Sequence, residues 1–352
     1  MLLGLAIGGT GWDPDTRQAS PPDPMDAGRL RRLASEAERG DLDFVTLDDS
    51  VTPVTPPGPG RPHAVTALAA LAPVTRTIGL VATVTTTYAE PFHVARALAT
   101  LDHISRGRAG WCPRVAASAA EAAHFGPEPL AGTDRLRAES AEFTEVVTAL
   151  WDSWQDDAVI RDTASGRFLD RAKVRPIDHV GAHFRIKGPA VVPRPPQGHP
   201  VLVTRIGPRS PLTDAQGADL VFTEVQDTRR VRAHVGTDAR VIAEVEVRLD
   251  GDGADGRSER PSATDRFRFT GSAAELAATL EAVSAREPVD GFHLRPAALP
   301  GTVERLVQEA VPLLRRYRPA RPGTAGGSLR ERLALPSPRP NAFPVRKAAL
   351  AR

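Results

Sequence analysis

Residues 78–112 read IGLVATVTTTYAEPFHVARALATLDHISRGRAGWC. The stretch contains an apolar run, Ile78–Thr83, then an amphipathic segment, Pro91–Ile104, and then a second short apolar run, Arg108–Cys112. Short runs that are apolar on both faces are typical of buried parallel strands, and the segment between them is long enough for a crossover helix. The stretch therefore predicts a β-α-β unit within a parallel sheet.

The same alternation extends along the chain in both directions. Eight strands are predicted, at Leu2–Ile7, Phe44–Leu47, Ile78–Thr83, Arg108–Cys112, Val201–Thr204, Leu220–Phe222, Val241–Val247 and Val289–Leu294. Helices are predicted at Gly28–Arg39, His63–Ala72, Pro91–Ile104, Thr133–Trp154, Ser272–Ala285 and Val303–Arg316, and Ser272 with Glu275 has the spacing of a capping box. Eight strands with short connections favour an α/β fold of the (β/α)8 TIM-barrel type, although the pattern alone fits an open doubly wound sheet nearly as well.

Three segments depart from the alternation. Residues 156–200 are polar and rich in Gly and Pro, and they predict a long excursion between strands four and five, with a hairpin around Val180–Ile186. Residues 250–264 have no apolar face, which predicts a flexible linker. We therefore expect one barrel domain over residues 1–318 and a C-terminal extension over 319–352 that wraps the surface or is disordered.

Composition limits the classes of function. Forty-five Lys and Arg against 43 Asp and Glu give a net charge of +2, and the interspersed charges argue against nucleic acid as a partner. The single cysteine, Cys112, excludes an intrachain disulfide and a thiolate cluster, so no metal site is expected. We expect a cytoplasmic protein with no membrane partner, because no stretch approaches the ~20 apolar residues of a membrane span.

Polar residues follow several predicted strands. Each group of these residues can be explained by a functional role or by a purely structural one. Gly8–Gly11 after the first strand could hold a phosphate, but the prolines that follow favour a plain loop at the barrel mouth. Asp48 and Asp49 close the second strand, where carboxylates serve either catalysis or a helix cap. The threonines that end the third strand, Thr83 and Thr85–Thr87, could bind a planar polar ligand, or could simply favour the strand.

Longer blocks resemble a known family. The run Thr85–Pro91 with ARALATLDHISRGRAGW at 95–111 is similar to the nitrilotriacetate monooxygenase branch of the luciferase-like, flavin-dependent monooxygenases. The resemblance continues through AEFTEVVTALWDSWQDDAVIRD at 141–162, PIDHVGAHFRIKGPAVVPRPPQGHPVLV at 176–203 and ADLVFT at 218–223. It covers essentially the whole chain.

The resemblance implies a (β/α)8 barrel that uses reduced FMN, supplied by a partner flavin reductase, to oxygenate a small organic substrate with O2. In that chemistry the flavin reacts, and the protein orients it and excludes water. We also expect a homodimer. The resemblance does not identify the substrate.

The resemblance also assigns cofactor-binding positions. The family's acidic residue after strand two falls on Asp49 and its flavin-contacting threonine on Thr83, and both are kept. Its His and Tyr fall on Thr133 and Arg137 and are replaced, and its phosphate loop after strand five falls around Gly207. Pro208 in that loop has no N–H to donate.

Three outcomes follow from these replacements. Arg137, Arg205 or Arg209 could bind the phosphate in a rebuilt site, because a guanidinium suits bidentate phosphate contacts. Alternatively, the barrel has lost flavin turnover and serves as a binding or scaffold protein, or it uses a deazaflavin.

Overall fold

Eight segments with apolar side chains on both faces form the barrel wall. In the computed structural model these strands, β1–β8, are Leu2–Ala6, Phe44–Leu47, Gly79–Thr85, Ala109–Arg114, Val201–Ile206, Leu220–Thr223, Arg240–Leu249 and Gly291–Pro296. The structure describes residues 1–9, 11–12, 23–52, 60–126, 131–251, 267–317, 327–338 and 341. All eight predicted strands are present, with bounds that differ by a few residues.

The sheet closes on itself. Each strand is parallel to its neighbours in the order β1 to β8, and β8 returns to β1 with Leu2 opposite Gly291. The sequence pattern fitted an open sheet nearly as well as a closed one. The pairing of β8 with β1 shows that the sheet is closed, as in a (β/α)8 barrel. Closure matters for function because it brings the carboxyl ends of all eight strands to one face.

Helices surround the barrel. The α-helices span Ala27–Arg39, Ala64–Leu71, Pro91–Ser105, Ala119–Ala122, Thr133–Trp151, Thr228–Val235, Ala273–Arg286, Gly301–Arg305, Val311–Tyr317 and Leu329–Arg332, with a π-helical turn at Leu306–Ala310 and 3-10 turns at Ala72–Val74, Arg171–Lys173, Leu212–Ala215 and Val225–Asp227. The capping box of Ser272 and Glu275 is confirmed. None of the helices in the described ranges is long and apolar enough to cross a membrane.

Between β4 and β5 the chain forms the long helix Thr133–Trp151 and two small hairpins. One hairpin pairs Val159–Asp162 with Arg167–Leu169, and the other pairs His179–Val180 with Arg185–Ile186, where the sequence predicts a hairpin. The predicted linker at 250–264 lies outside the described residues from 252 onward. It leads to a short strand, Phe267–Gly271, that pairs with the carboxyl half of β7.

Phe44 and Phe222 stack with ring centroids 5.8 Å apart. They belong to β2 and β6, which are not neighbours in the sheet, so this contact crosses the barrel interior. The same buried cluster contains Leu329, Leu333 and Leu335 from the C-terminal segment. Arg330 holds that segment in place through two 2.6 Å bonds to the Asp219 carboxylate, just before β6.

The C-terminal segment therefore plugs the amino-terminal end of the barrel. Its plug residues, Ser328–Leu335, begin where Leu329 N donates to Gly107 O at 2.7 Å, next to the start of β4. The expectation that the extension wraps the surface or is disordered is wrong for this part of it. Leucines at 329, 333 and 335 fill the interior. The Pro, Arg and Gly residues around them are typical of surface segments, which is why the sequence predicted a surface position.

Candidate functional site

Polar side chains from five strands meet at the carboxyl-terminal end of the barrel. We call this set the mouth network; its members are Thr46 of β2 with Asp48 just after that strand, Thr83 of β3, Arg205 of β5, Glu244 of β7, and His293 and Arg295 of β8. In a barrel of this kind, the face at the strand carboxyl ends is the one that carries active sites. The mouth network therefore marks the place to look for a ligand.

His293 is fully buried at the centre of the network. Its Nδ1 lies 3.0 Å from Glu244 Oε1, and its Nε2 lies 2.9 Å from the Thr46 hydroxyl. Burial lowers the pKa of His293, although the hydrogen bond to Glu244 opposes the shift. The ring is thus neutral at pH 7, with the proton on Nδ1 donated to the carboxylate and Nε2 accepting from Thr46.

Two arginines and two carboxylates balance each other around this histidine. Arg205 Nε donates to Glu244 at 3.2 Å, and its Nη2 lies 3.6 Å from Asp48. Arg295 donates to the other oxygen of Asp48 at 3.1 Å, and Thr83 donates to Asp48 at 2.9 Å. The cluster is electrically neutral as a whole, and each charge has an opposite charge in contact.

The pKa shifts follow from that pairing. Burial alone would raise the pKa of Asp48 and Glu244, but Arg205 and Arg295 together with the hydrogen bonds from Thr83 and His293 outweigh it, and they hold both pKa values well below their usual range. Both groups are therefore carboxylates at neutral pH. The mouth network cannot act as a general acid through them, and its role is to present fixed charge and hydrogen-bond donors.

A cavity of about 240 Å³ opens beside the network. It lies between the carboxyl ends of β1, β2 and β8, and its polar lining includes Trp12, Asp48, Arg61 and Arg295. The loop Gly8–Gly11, predicted to be a plain loop at the barrel mouth, lines it through its glycines. Apolar side chains complete the wall, at Ala6, Leu47, Pro62, Pro296 and Leu299.

The structure separates Asp48 from Asp49. The Asp49 carboxylate accepts from the backbone N–H of Ser50 at 2.7 Å and of Ala64 at 3.0 Å, at the start of the helix Ala64–Leu71. Asp49 lines the cavity but its oxygens are committed to the backbone, whereas Asp48 belongs to the mouth network. Asp49 thus stabilises the start of that helix, whose N-cap residue is His63.

Thr83 reaches the mouth, as the sequence predicts, but its hydroxyl donates to Asp48. Cys112 is buried, and burial raises the pKa of its thiol to about 11. Cys112 belongs to the buried apolar cluster that forms the wall below the mouth.

The remaining predicted positions lie on the β5 side. Thr133 is the exposed first residue of the helix Thr133–Trp151, and Arg137, one turn further, pairs with Asp214 at 3.4 Å. The Gly207 N–H donates to Ser210 Oγ at 3.2 Å. The Arg137–Asp214 pair thus joins the helix to the segment that follows β5, and Arg205, one of the three candidate phosphate ligands, belongs instead to the mouth network.

Sequence reasoning missed Glu244, His293 and Arg295. Glu244 stands in the run VIAEVEV, where two acidic residues interrupt an otherwise apolar strand. A buried carboxylate needs a partner, so this interruption was the available signal for an ion pair inside the barrel.

Comparisons with known proteins agree with this architecture. Residues 8–255 match the family model described as luciferase-like monooxygenase. The chain is 41% identical over 225 residues to nitrilotriacetate monooxygenase component A of Aminobacter aminovorans, which covers 59% of this chain and 49% of that protein. The chain thus spans about half the length of that relative.

Two further proteins match over nearly their whole length. One of the subunits of pristinamycin IIA synthase from Streptomyces pristinaespiralis is 33% identical over 314 residues, which is 88% of this chain and 90% of that protein. The crystal structure of a riboflavin lyase with modified FMN and riboflavin superimposes with a TM-score of 0.81 over 95% of each chain, at 24% identity. The family match, the long relative and the closed barrel with its polar mouth lead to one conclusion: this chain belongs to the luciferase-like monooxygenase family.

Proposed function

We propose that this chain is an FMN-dependent monooxygenase that acts on a small organic substrate with O2 and receives reduced FMN from a separate reductase. Family membership supports the type of chemistry. The observation that carries the proposal is Arg137, a guanidinium placed at the β5 side of the mouth and about one-third exposed, whose ion pairs involve only partly or fully exposed carboxylates. Such a group is available to a phosphate.

The donor chemistry on the β5 side fits a phosphate. Asp214 is itself about one-third exposed, and burial raises its pKa despite Arg137, so the pair is a weak one. A phosphate carries more charge and more acceptor oxygens than a carboxylate, and can replace Asp214 on the guanidinium. The Ser210 hydroxyl and the Gly207 N–H, which now bond each other, are the nearby groups that would turn to the same anion.

The mouth network fits the polar edge of a flavin ring. Reduced FMN, when bound, supplies the reaction with O2. The chain contributes a charge-balanced floor in which Asp48 is fixed by Thr83 and Arg295, so that donors and acceptors keep their orientation as the ring binds. The wall of apolar side chains around the cavity keeps water from the reacting face.

Anaerobic titration with reduced FMN, followed by flavin fluorescence, tests the proposal. The parent chain should bind, and Arg137→Ala should weaken binding by at least about tenfold, or ~1.4 kcal/mol. Arg135→Ala, which removes an exposed arginine from the same helix, is the matched control and should leave binding unchanged. Tight binding that is insensitive to Arg137→Ala would mean that the phosphate lies elsewhere.

One set of observations favours a second candidate, a barrel that binds or supports a partner without flavin turnover. The predicted FMN contacts Asp49, Thr83 and Gly207 already have partners within the chain. The relative matched over 90% of its length is named as one subunit of a synthase. In that case the parent shows no FMN binding, and the combined change Thr133→His and Arg137→Tyr restores it.

The assembly is part of the proposal. We propose a homodimer that meets its reductase only to exchange flavin. Light scattering on the purified chain, alone and with a flavin reductase, gives the mass of each state. A stable complex with a second, different barrel protein would favour the second candidate instead.

A further inference from the structure

The plug packs directly against an aromatic ring inside the barrel. Leu329 of the plug and Phe44 of β2 both approach Gly79 of β3, where an added Cβ would lie 2.5 Å from Leu329 Cδ1 and 3.0 Å from Phe44 Cβ. Glycine at this position leaves room for both side chains. The two other leucines of the plug are buried in the same cluster as Phe44. The plug therefore forms one closely packed unit with the amino-terminal part of the barrel interior.

Two stacked rings connect this unit to the mouth network. A Cβ added to Gly4 would lie 2.1 Å from Phe44 Cε2, so a second glycine makes room for the Phe44 ring. Phe44 stacks on Phe222, and Phe222 stacks on His293 with ring centroids 4.7 Å apart and planes 18° apart. The Arg205 guanidinium lies 5.7 Å from the centroid of the Phe222 ring. Phe222 thus joins the cluster that contains the plug to two members of the mouth network.

The protonation of His293 depends on what surrounds its ring. The ring is fully buried, and burial is the main cause that lowers the pKa of His293. The charged groups that face it all belong to the mouth network: Glu244 of β7, Arg295 of β8, Arg205 of β5 and Asp48 after β2. The aromatic rings packed against it are those of Phe222 and Phe44, which carry no polar atom. The apolar interior, which the plug closes, therefore keeps water away from this histidine.

We propose that the C-terminal plug positions the mouth network from the opposite end of the barrel, through the rings of Phe44 and Phe222. The buried leucines of the plug keep the two rings packed, and close packing transmits a displacement from one side chain to the next. Loss of that packing lets the Phe222 ring tilt and admits water below His293. The histidine then takes up a proton more readily, and its Nε2 can no longer accept from the Thr46 hydroxyl. The inference goes beyond the proposed function, since neither the packing nor its effect on His293 involves flavin.

Nuclear magnetic resonance of the flavin-free full chain with isotope-labelled histidine tests the proposal. The ring nitrogen shifts report which nitrogen carries the proton, and the His293 signal is the one that His293→Gln removes. In the parent, few molecules should carry a protonated His293 at about pH 6, because its pKa lies below the ordinary value of about 6.5. Leu333 is a fully buried plug residue. In Leu333→Ala, the protonated fraction should rise at least about threefold, as the pKa returns toward about 6.5.

Three further variants separate positioning from general loosening. Leu276→Ala is the matched control, because it removes the same atoms from a fully buried leucine in the core cluster outside the barrel interior, and it should leave the His293 signal unchanged. Leu333→Met keeps an apolar side chain of similar volume and should restore the parent signal. In a chain that already carries Phe222→Leu, Leu333→Ala should change the His293 signal less than it does in the parent, because the ring through which the plug acts is gone.

Three results would overturn the proposal: a His293 signal that Leu333→Ala leaves unchanged, an equal change in Leu276→Ala, or an undiminished effect of Leu333→Ala beside Phe222→Leu. Thermal unfolding of each variant shows whether it is folded. If Leu333→Ala is unfolded, Arg330→Gln decides in its place by the same criteria. It removes the two bonds that attach the plug to the Asp219 carboxylate and leaves the leucines of the plug intact.

Discussion

Nδ1 of His293 lies 3.0 Å from Oε1 of Glu244, and the His293 ring stacks on Phe222 of the apolar cluster inside the barrel, with ring centroids 4.7 Å apart. Glu244 also accepts from Arg205, so one carboxylate fixes the tautomer of a neutral histidine and the position of an arginine. Buried polar networks of this kind are stable only when every member is satisfied. The mouth network should therefore respond as a unit when one member changes its charge.

We expect the pH dependence of stability to report on His293. Because its folded pKa lies below the ordinary value of about 6.5, the unfolded chain takes up a proton that the folded chain does not as the pH falls. Stability rises with pH wherever the unfolded state binds more protons, so the free energy of unfolding should fall between about pH 7 and 5, by up to ~1.4 kcal/mol per unit.

The measurement is urea unfolding at several pH values. His293→Gln should remove this part of the slope, and His234→Gln, which changes an exposed histidine, should keep it. Parallel slopes in the parent and in His293→Gln would show that His293 is protonated in the folded chain.

Neighbouring carboxylates should differ in their effect on stability. Asp48→Asn leaves Arg205 and Arg295 with one carboxylate fewer, and should cost about 1–3 kcal/mol. This is less than for a fully buried pair, because the Asp48 side chain is 39% exposed. Asp49→Asn keeps one of the two acceptors, so either the Ser50 or the Ala64 N–H loses its partner, and it should cost about 0.5–1.5 kcal/mol. Denaturant unfolding compares the two directly, and a reversed order would exchange their roles.

The Cys112 thiol should be unreactive in the folded chain. With its pKa raised to about 11, against about 8.5 in an unfolded chain, its thiolate population is lower by more than about 100-fold at pH 8. A thiol-specific disulfide reagent should label the chain rapidly in urea and more than about 100-fold more slowly without it. Fast labelling of the native protein would show that the wall below the mouth opens.

A double-mutant cycle tests the C-terminal plug. Leu329 is fully buried, and an added Cβ on Gly79 would lie 2.5 Å from Leu329 Cδ1. Leu329→Ala should cost about 2–5 kcal/mol through a cavity, and Gly79→Ala about 1–3 kcal/mol through overpacking. Combined, they should cost less than the sum, because the new methyl group occupies part of the space that the leucine leaves. Strict additivity in denaturant unfolding would place the plug elsewhere.

The strands were predictable because buried parallel strands are apolar on both faces, as in Ile78–Thr83. The residues of the site were harder to predict. Asp48 and Asp49 both follow the last residue of β2, and only the backbone direction there decides which one faces the mouth. Arg205 follows an apolar run and fits a phosphate ligand by chemistry, but its partners Glu244 and Asp48 lie 39 and 157 positions away in sequence, so pairing could not be inferred locally.

Some elements escaped prediction for a related reason. The helix Thr228–Val235, TRRVRAHV, has only three apolar residues, and they stand at every second position, which is the spacing of a strand and not of a helix. Glu244 and His293 were visible only as polar residues inside apolar runs, which is a signal for burial with a partner and says nothing about which partner. The pairing partners of Glu244 and His293 are set by packing across the barrel, and the local sequence pattern does not contain them.

The plug at Ser328–Leu335 has a consequence for how the chain folds as it is synthesised. Leu329 shares its buried cluster with Leu2 and Phe44, so the interior that starts to form with the first strand is completed only when residues near 330 have left the ribosome. Until then, the amino-terminal end of the barrel is open and its apolar lining is accessible. A nascent chain whose plug residues are still inside the ribosome should therefore be protease-sensitive and bound by chaperones, and emergence of those residues should protect it.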